Sequence, residues 1–216
     1  MTYEYGCFIS HIGSQRPLIT EFVTSLETAL ASELEAHIDG SAEEVYLDRT
    51  RLKPGFMFNE ALADAICKSA CWIVVYVPQY PFRDYCMREF RAMQMLEERR
   101  RRELGHRIER DQGMIFPVIL RGGIDQLPVE IAKQRQYLDF KKYSTADVEI
   151  LRNERYQEQL VQLASQIGDL YRLGDHLGDQ DCGRFAMPRH DADGADGADG
   201  SFRPVTAEFP GRSAHS

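Results

Sequence analysis

The chain has 216 residues and a net charge of −8, with an isoelectric point near 5.3. This acidic balance argues against a sequence-independent hold on nucleic acid or on an anionic membrane. Hydrophobic residues make up 43% of the chain and charged residues 28%, and no apolar run has the length of a membrane helix or a signal peptide, so we expect a cytoplasmic globular domain.

The five cysteines are an odd number, and most of them fall in predicted strands or helices. This distribution predicts buried thiols in a reducing compartment rather than a disulfide framework. Cys67 and Cys71 have the spacing of half a zinc site, but no second pair of Cys or His follows at ligand spacing. No metal site is therefore predicted.

The first half of the chain alternates predicted strands with helices. Residues 3–10 are predicted to form the first strand, and apolar residues at every fourth position from Phe22 to Leu34 predict a helix over residues 18–34. A second apolar run, Val45 to Leu47, ends in Asp48. The turn that follows carries three cations and a Pro-Gly pair that ends regular structure: Arg49, Arg51, Lys53, Pro54 and Gly55.

A helix, a strand and a second helix follow this basic turn. Phe58, Leu62 and Ile66 recur at helical spacing, and residues 72–77 are continuously apolar, as expected of a strand covered on both faces. The next helix is predicted to begin near Asp84. Charge dominates its far end, Glu97 to Glu103, where we expect a solvated helix extension with acid–base pairs in preference to a specific anion site.

The remaining elements complete an α/β pattern. Residues 114–120 read as a strand in which Pro117 lacks a ladder donor, which predicts a bulge or a peripheral position. A last strand over 136–140 and a closing helix over 153–173 follow. From residue 178 the chain is rich in Ala-Asp-Gly copies that cannot bury enough apolar surface to fold. We predict one domain over residues 1–175 and a disordered tail over residues 176–216.

Three motifs in order along the chain carry a resemblance to a known family. They are Cys7-Phe8-Ile9-Ser10-His11, then Leu-Asp-Arg-x-x-Leu-x-x-Gly from residue 47, then Tyr-Cys-x-x-Glu from residue 85, the last after Ser69, a buried strand and a tyrosine. Over residues 3–173 the chain resembles TIR domains of the bacterial, NAD-cleaving type. The resemblance implies a flavodoxin-like, doubly wound, parallel five-stranded sheet with strand order 2-1-3-4-5.

Polar residues follow the first three strands of this expected sheet. In such sheets ligands bind beyond the carboxyl ends of the strands, where strands one and three diverge. The residues that converge there, strand by strand, are Ser10 and His11, Asp48 and Arg49, and Tyr85 and Glu89. Their convergence predicts a small-molecule site at this edge of the sheet.

Glu89 is the candidate catalytic residue. In NAD-cleaving TIR domains the essential carboxylate stands in a Trp-x-x-x-Glu pattern, and Tyr85 occupies the Trp position here. Breaking the nicotinamide–ribose bond leaves positive charge on the ribose, which a fixed anion stabilises. A helix-start acid without a catalytic role is the alternative interpretation. Tyr85 supplies either a ring for stacking or core packing.

The other candidates are substrate-binding residues, each with an ordinary alternative. Arg49 and Arg51 either balance the dinucleotide pyrophosphate, or contact a neighbouring subunit, or form an exposed basic turn. Asp48 either bonds ribose hydroxyls or caps the loop. Phe56 either covers a substrate ring or packs locally. Ser10 and His11 lie where a nucleotide site needs polar groups, although a lone loop histidine is often only polar surface.

Two functions follow from the resemblance. The first is an enzyme that consumes NAD⁺ as substrate, without a cofactor, as an antiphage immune effector or signal generator activated by self-assembly. In that case, the loop 49–56 joins TIR domains into a homo-oligomer or filament. The second is a non-catalytic TIR–TIR scaffold or a virulence adaptor that mimics host signalling. Whether the product is linear or cyclic, and what triggers activity, stays open.

Overall fold

The computed structural model describes residues 3–13, 17–38, 43–47, 58–123, 127–128, 137–143, 153–178 and 180–188. Its five strands form one parallel sheet in the order β2-β1-β3-β4-β5. The strands are β1 (Tyr5–His11), β2 (Glu43–Leu47), β3 (Ser69–Tyr76), β4 (Ile115–Ile119) and β5 (Leu138–Asp139). The predicted flavodoxin-like strand order is confirmed.

Four α-helices cover this sheet in the described part of the chain. They are α1 (Pro17–Leu34), α2 (Phe58–Lys68), α3 (Asp84–Leu104) and α4 (Glu154–Leu173). Helix α1 packs against α4, and α2 packs against α3, which puts one pair on each face as a doubly wound fold requires. None of the described helices is both long and apolar enough to cross a membrane.

Strand β1 lies at the point where the strand order reverses. It pairs with β2 on one side and with β3 on the other, with Ile9 level with Leu47 and His11 level with Val75. Every side chain of β3 is buried, which is why its sequence is continuously apolar rather than alternating. The carboxyl ends of β1 and β3 therefore open the crevice in which parallel sheets bind ligands.

Pro117 sits inside β4 without a bulge, because its register with Val74 of β3 is continuous. The backbone N–H of Leu120 donates to the carbonyl oxygen of Tyr76 on β3. Because successive N–H groups of a strand point to opposite neighbours, the nitrogen of Pro117 points towards β5. Pairing with β5 begins only at Val118. The missing N–H thus falls just before the short edge strand. Of the two predicted alternatives, a bulge or a peripheral position, the bulge is absent.

The prediction of a solvated charged run from Glu97 to Glu103 is wrong at Glu97 and Arg100. Arg100 is fully buried, and its guanidinium donates to the carbonyl oxygens of Cys67 at 2.5 Å and Ser69 at 2.8 Å. Glu97 is also buried and accepts from the backbone N–H of Met114 at 2.6 Å. These side chains pair with backbone groups at the ends of α2, β3 and β4, which local sequence cannot reveal.

One further prediction needs correction at the C-terminal end of the domain. Cys67 on α2 forms a disulfide with Cys182, 115 residues away, so not all cysteines are thiols. The side chain of Glu103 accepts from the backbone of Gly178 at 2.5 Å and from the side chain of Gln180 at 3.0 Å. The described residues thus extend past residue 175, over 176–178 and 180–188, while residues 179 and 189–216 lie outside the described part. The boundary at residue 175 stays a prediction.

Candidate active site

Glu89 lies in the second turn of α3, where the helix passes the carboxyl end of β1. It is 1% exposed, and its Oε2 accepts a hydrogen bond of 2.5 Å from the hydroxyl of Ser10 on β1. The sheet therefore holds a carboxylate at the crevice predicted from the strand order.

Tyr80 completes this buried cluster, and sequence reasoning gave it no role. It begins a short 3-10 turn (Tyr80–Phe82) between β3 and α3, and its phenol oxygen lies 2.7 Å from Ser10 Oγ and 3.3 Å from the carbonyl oxygen of Cys86. Burial raises the pKa of Tyr80 well above its usual range, with smaller contributions from Cys86 and then Glu89. The phenol therefore stays protonated and can donate.

Tyr85 connects the start of α3 to the carboxyl end of β1 by hydrogen bonds. Its half-buried hydroxyl accepts from the backbone N–H of Gly13 and donates a long bond of 3.5 Å to the carbonyl oxygen of His11. The imidazole Nδ1 of His11 donates to the carbonyl oxygen of Ile12 at 2.9 Å. Four predicted site residues, Ser10, His11, Tyr85 and Glu89, are thus brought together, although they come from distant parts of the sequence.

An open pocket of about 510 Å³ adjoins this cluster. Its lining comes from the 3-10 turn and the first turns of α3: Phe82, Arg83, Asp84, Tyr85 and Arg88. Tyr85 lines the pocket and is also one of the four predicted residues brought together, whereas Glu89 is not among the lining residues. Arg88 donates through Nε to the carbonyl oxygen of Pro188 at 2.9 Å, so the C-terminal segment reaches the pocket rim. Two arginines and one aspartate leave the lining with a net positive charge, which favours an anionic ligand.

The remaining predicted residues, Asp48, Arg49, Arg51 and Phe56, lie outside the described residues. Among the residues that the structure describes, no group of three or more His, Cys, Asp or Glu side chains is arranged to hold a metal ion. The described site therefore offers a buried carboxylate, the three hydroxyl groups of Ser10, Tyr80 and Tyr85, and the ring of Tyr85. The adjoining pocket adds two guanidinium groups and the carboxylate of Asp84.

Comparison with known proteins identifies the family. No curated protein matches the chain. A solved structure of the TIR domains of the activated Roq1 resistosome, which directly recognises the pathogen effector XopQ, is similar to it at 18% identity, with a TM-score of 0.42, over 78% of this chain and 84% of that one. The family model for the TIR domain matches residues 7–152, more than half of the sequence. The chain therefore belongs to the TIR domain family.

Proposed function

We propose that this protein cleaves the nicotinamide–ribose bond of NAD⁺, with Glu89 as the catalytic carboxylate. The observation that carries the proposal is the position of Glu89: a carboxylate bonded to Ser10 at the carboxyl end of β1, in the crevice where the strand order reverses. Membership of a family that includes NAD-cleaving enzymes adds support. The products are nicotinamide and ADP-ribose or a cyclic ADP-ribose isomer.

The reaction needs one well-placed anion. Nicotinamide departs with the electron pair of the C–N bond and becomes neutral, so its departure needs no general acid. The ribose is left with oxocarbenium-like positive charge, which the carboxylate of Glu89 stabilises as it develops. Water then attacks the sugar carbon and loses a proton to solvent, or a nucleophile within ADP-ribose attacks and gives the cyclic isomer.

The rest of the predicted site supplies binding in this proposal. Tyr85, in the pocket wall, offers its ring to a base of the dinucleotide. Arg83 and Arg88 at the same rim are suited to the diphosphate. From the loop that follows β2, Arg49 and Arg51 add positive charge, and Asp48 and Phe56 contact ribose and ring, as the family resemblance implies.

Activity in this proposal depends on assembly. Glu89 is 1% exposed, so substrate reaches the carboxylate only after the residues that cover it open, while its bond to Ser10 is kept. Binding of a second TIR domain through the loop 49–56 would provide the free energy for this opening. Head-to-tail contacts of that kind extend into filaments when the rotation does not close.

The same burial favours a second candidate function, a non-catalytic TIR–TIR scaffold. A carboxylate enclosed by Ser10 and Tyr80 also has a purely structural use, since it joins α3 to β1. In this alternative, the domain binds other TIR domains and consumes no NAD⁺.

Nicotinamide release separates the two candidates. The protein is mixed with NAD⁺ at low concentration and again after forced assembly on a multivalent carrier, and products are followed by chromatography. Glu89→Gln keeps the size of the side chain and an oxygen that accepts from Ser10, so it tests the charge. Glu98→Gln, at an exposed position on the same helix, is the matched control. Release that is lost only in Glu89→Gln supports the enzyme, and no release in any assembled state supports the scaffold.

A further inference from the structure

Ser10, Tyr80 and Glu89 form a line of hydroxyl and carboxyl groups sealed from solvent. Ser10 and Glu89 are each 1% exposed, and Tyr80 is fully buried. Ser10 Oγ lies 2.5 Å from Glu89 Oε2 and 2.7 Å from the phenol oxygen of Tyr80. Sequence reasoning treated Ser10 as a substrate-binding residue, but its hydroxyl is already engaged on both sides.

The direction of the hydrogen bonds follows from the number of protons. Ser10 has a single hydroxyl proton, and Glu89, as a carboxylate, can only accept it. Ser10 Oγ is then left with acceptor lone pairs towards Tyr80. The phenol of Tyr80 lies closer to Ser10 Oγ, at 2.7 Å, than to the carbonyl oxygen of Cys86, at 3.3 Å. The favoured arrangement runs from Tyr80 to Ser10 to Glu89.

The two hydroxyl groups are anchored to the sheet, not to the helix that carries Glu89. Ser10 is in register with Val74 in the centre of the sheet. The backbone N–H of Tyr80 donates at 2.8 Å to Val77, directly after β3. Glu89 belongs to α3, so the hydrogen-bonded line fixes its carboxylate relative to the strand ends where the substrate binds.

We propose that Ser10 and Tyr80 are positioning residues for the catalytic carboxylate, Ser10 directly and Tyr80 through Ser10. This inference rests on the proposed function and adds the residues that set the geometry of its site. In a hydrogen-bonded line of this kind each bond strengthens its neighbour. Loss of the Tyr80 hydroxyl therefore weakens the bond between Ser10 and Glu89. Neither hydroxyl group takes part in the bond changes of the reaction.

The kinetic test compares matched variants of the assembled protein on NAD⁺. We expect Ser10→Ala to lower kcat on the order of 10²-fold, the effect of a misplaced catalytic group, with little change in KM. Tyr80→Phe should lower kcat less, by roughly 10-fold, since its bond is one step removed. The controls remove hydroxyls elsewhere: Ser69→Ala, which loses a bond to Ala65 at the opposite end of β3, and Tyr156→Phe on α4.

The double variant tests whether Tyr80 acts through Ser10 in the hydrogen-bonded line. If Tyr80 acts through Ser10, Ser10→Ala with Tyr80→Phe is no slower than Ser10→Ala alone. The inference would be overturned if the losses of kcat in the two single variants multiplied in the double variant. A Ser10→Ala enzyme with unchanged kcat would overturn it as well. Either result would leave the proposed cleavage by Glu89 standing, because Glu89→Gln tests that separately.

A spectroscopic measurement keeps the inference testable if the wild-type protein cleaves no NAD⁺, or if one variant folds poorly. The ¹³C carboxyl resonance of Glu89, assigned with Glu89→Gln, should move in both Ser10→Ala and Tyr80→Phe and stay in place in Ser69→Ala and Tyr156→Phe. A resonance unmoved in a folded Ser10→Ala or Tyr80→Phe protein would show that the hydroxyls do not hold the carboxylate. Movement without any NAD⁺ cleavage would refute the proposed function and retain the contact.

Discussion

The guanidinium of Arg100 donates a 2.5 Å hydrogen bond to the carbonyl oxygen of Cys67, and so connects α3 to the last turn of α2. It also donates to Ser69 and lies 4.8 Å from the ring centres of both Tyr3 and Trp72. A cation at a helix C-terminus is favoured by the exposed carbonyls and the helix dipole. A charged residue thus belongs to the core that supports the site.

Arg100→Met is expected to lower the free energy of unfolding by about 2–4 kcal/mol. The substitution keeps the bulk of the side chain but leaves backbone carbonyls at the end of α2 without their donor. Chemical denaturation measures the loss. Arg102→Met, at an exposed position on the same helix, is the control and should change the unfolding free energy by less than about 0.5 kcal/mol. Equal effects of the two substitutions would show that Arg100 is not a structural residue.

The Cys67–Cys182 disulfide is expected to stabilise the domain, because it closes a long segment of the chain. Cys182→Ser should lower the unfolding free energy by about 2–4 kcal/mol, or the melting temperature by roughly 5–15 °C. Reduction of the wild-type protein should have a similar effect, measured by thermal unfolding with and without a dithiol reductant. The same reductant should leave the melting temperature of Cys182→Ser unchanged. A wild-type melting temperature that is insensitive to reductant would contradict the prediction.

Buried thiols make the stability sensitive to alkaline pH. Burial raises the pKa of the thiols of Cys7 and Cys71 above their usual range. The folded state therefore keeps these protons after the unfolded state has lost them, so stability is full below about pH 8.5 and decreases as pH rises further. Denaturant unfolding from pH 7.5 to 10.5 measures the slope. Replacing both residues with Ala should make it shallower, although not flat, because burial also raises the pKa of Tyr3 and Tyr80.

The same two thiols should react with iodoacetamide at pH 8 only on the timescale of unfolding, since thiolate is the reactive form. Mass spectrometry of labelled peptides identifies the modified residues. Rapid labelling of Cys7 or Cys71 in the folded protein would contradict the predicted pH dependence as well.

The basic loop after β2 is expected to join assembly to activity. Arg51→Ala should lower both the size of the assembled species and the rate of nicotinamide release, since in the proposed function this loop binds a second TIR domain and so opens the site. Light scattering and chromatography of the same sample measure the two properties. Arg102→Ala removes the same charge from α3 and should change neither. An Arg51→Ala protein that is strictly monomeric and fully active would refute the coupling.

Patterns within short segments were sufficient to predict the helices and strands and their succession along the chain. The helical spacing in α1 reflects burial of one face, and the continuous apolar run of β3 reflects burial of both faces. Both patterns are visible within a short segment. The strand order and the meeting of Ser10 with Glu89 required the family resemblance. Once the order was known, the rule for strand ends placed both residues in one crevice.

The errors have one physical cause, which is pairing between residues distant in sequence. A run such as Glu97 to Glu103 looks solvated because its charges have near neighbours of opposite sign. Arg100 is instead buried because carbonyls about 30 residues away need donors. Cys182 is paired with Cys67 because a segment beyond the predicted boundary packs on α2. Tyr80 acquired a role only when its phenol was placed beside Ser10.

The central claim is that the negative charge of Glu89 drives departure of nicotinamide. The most direct measurement is the rate of nicotinamide release from NAD⁺ by assembled wild-type, Glu89→Gln and Glu98→Gln proteins of equal melting temperature. We predict a loss of at least about 10²–10³-fold in kcat for Glu89→Gln, the range for removal of one electrostatic stabiliser, and no loss for Glu98→Gln. Glu89→Gln protein that releases nicotinamide at the wild-type rate would contradict the account.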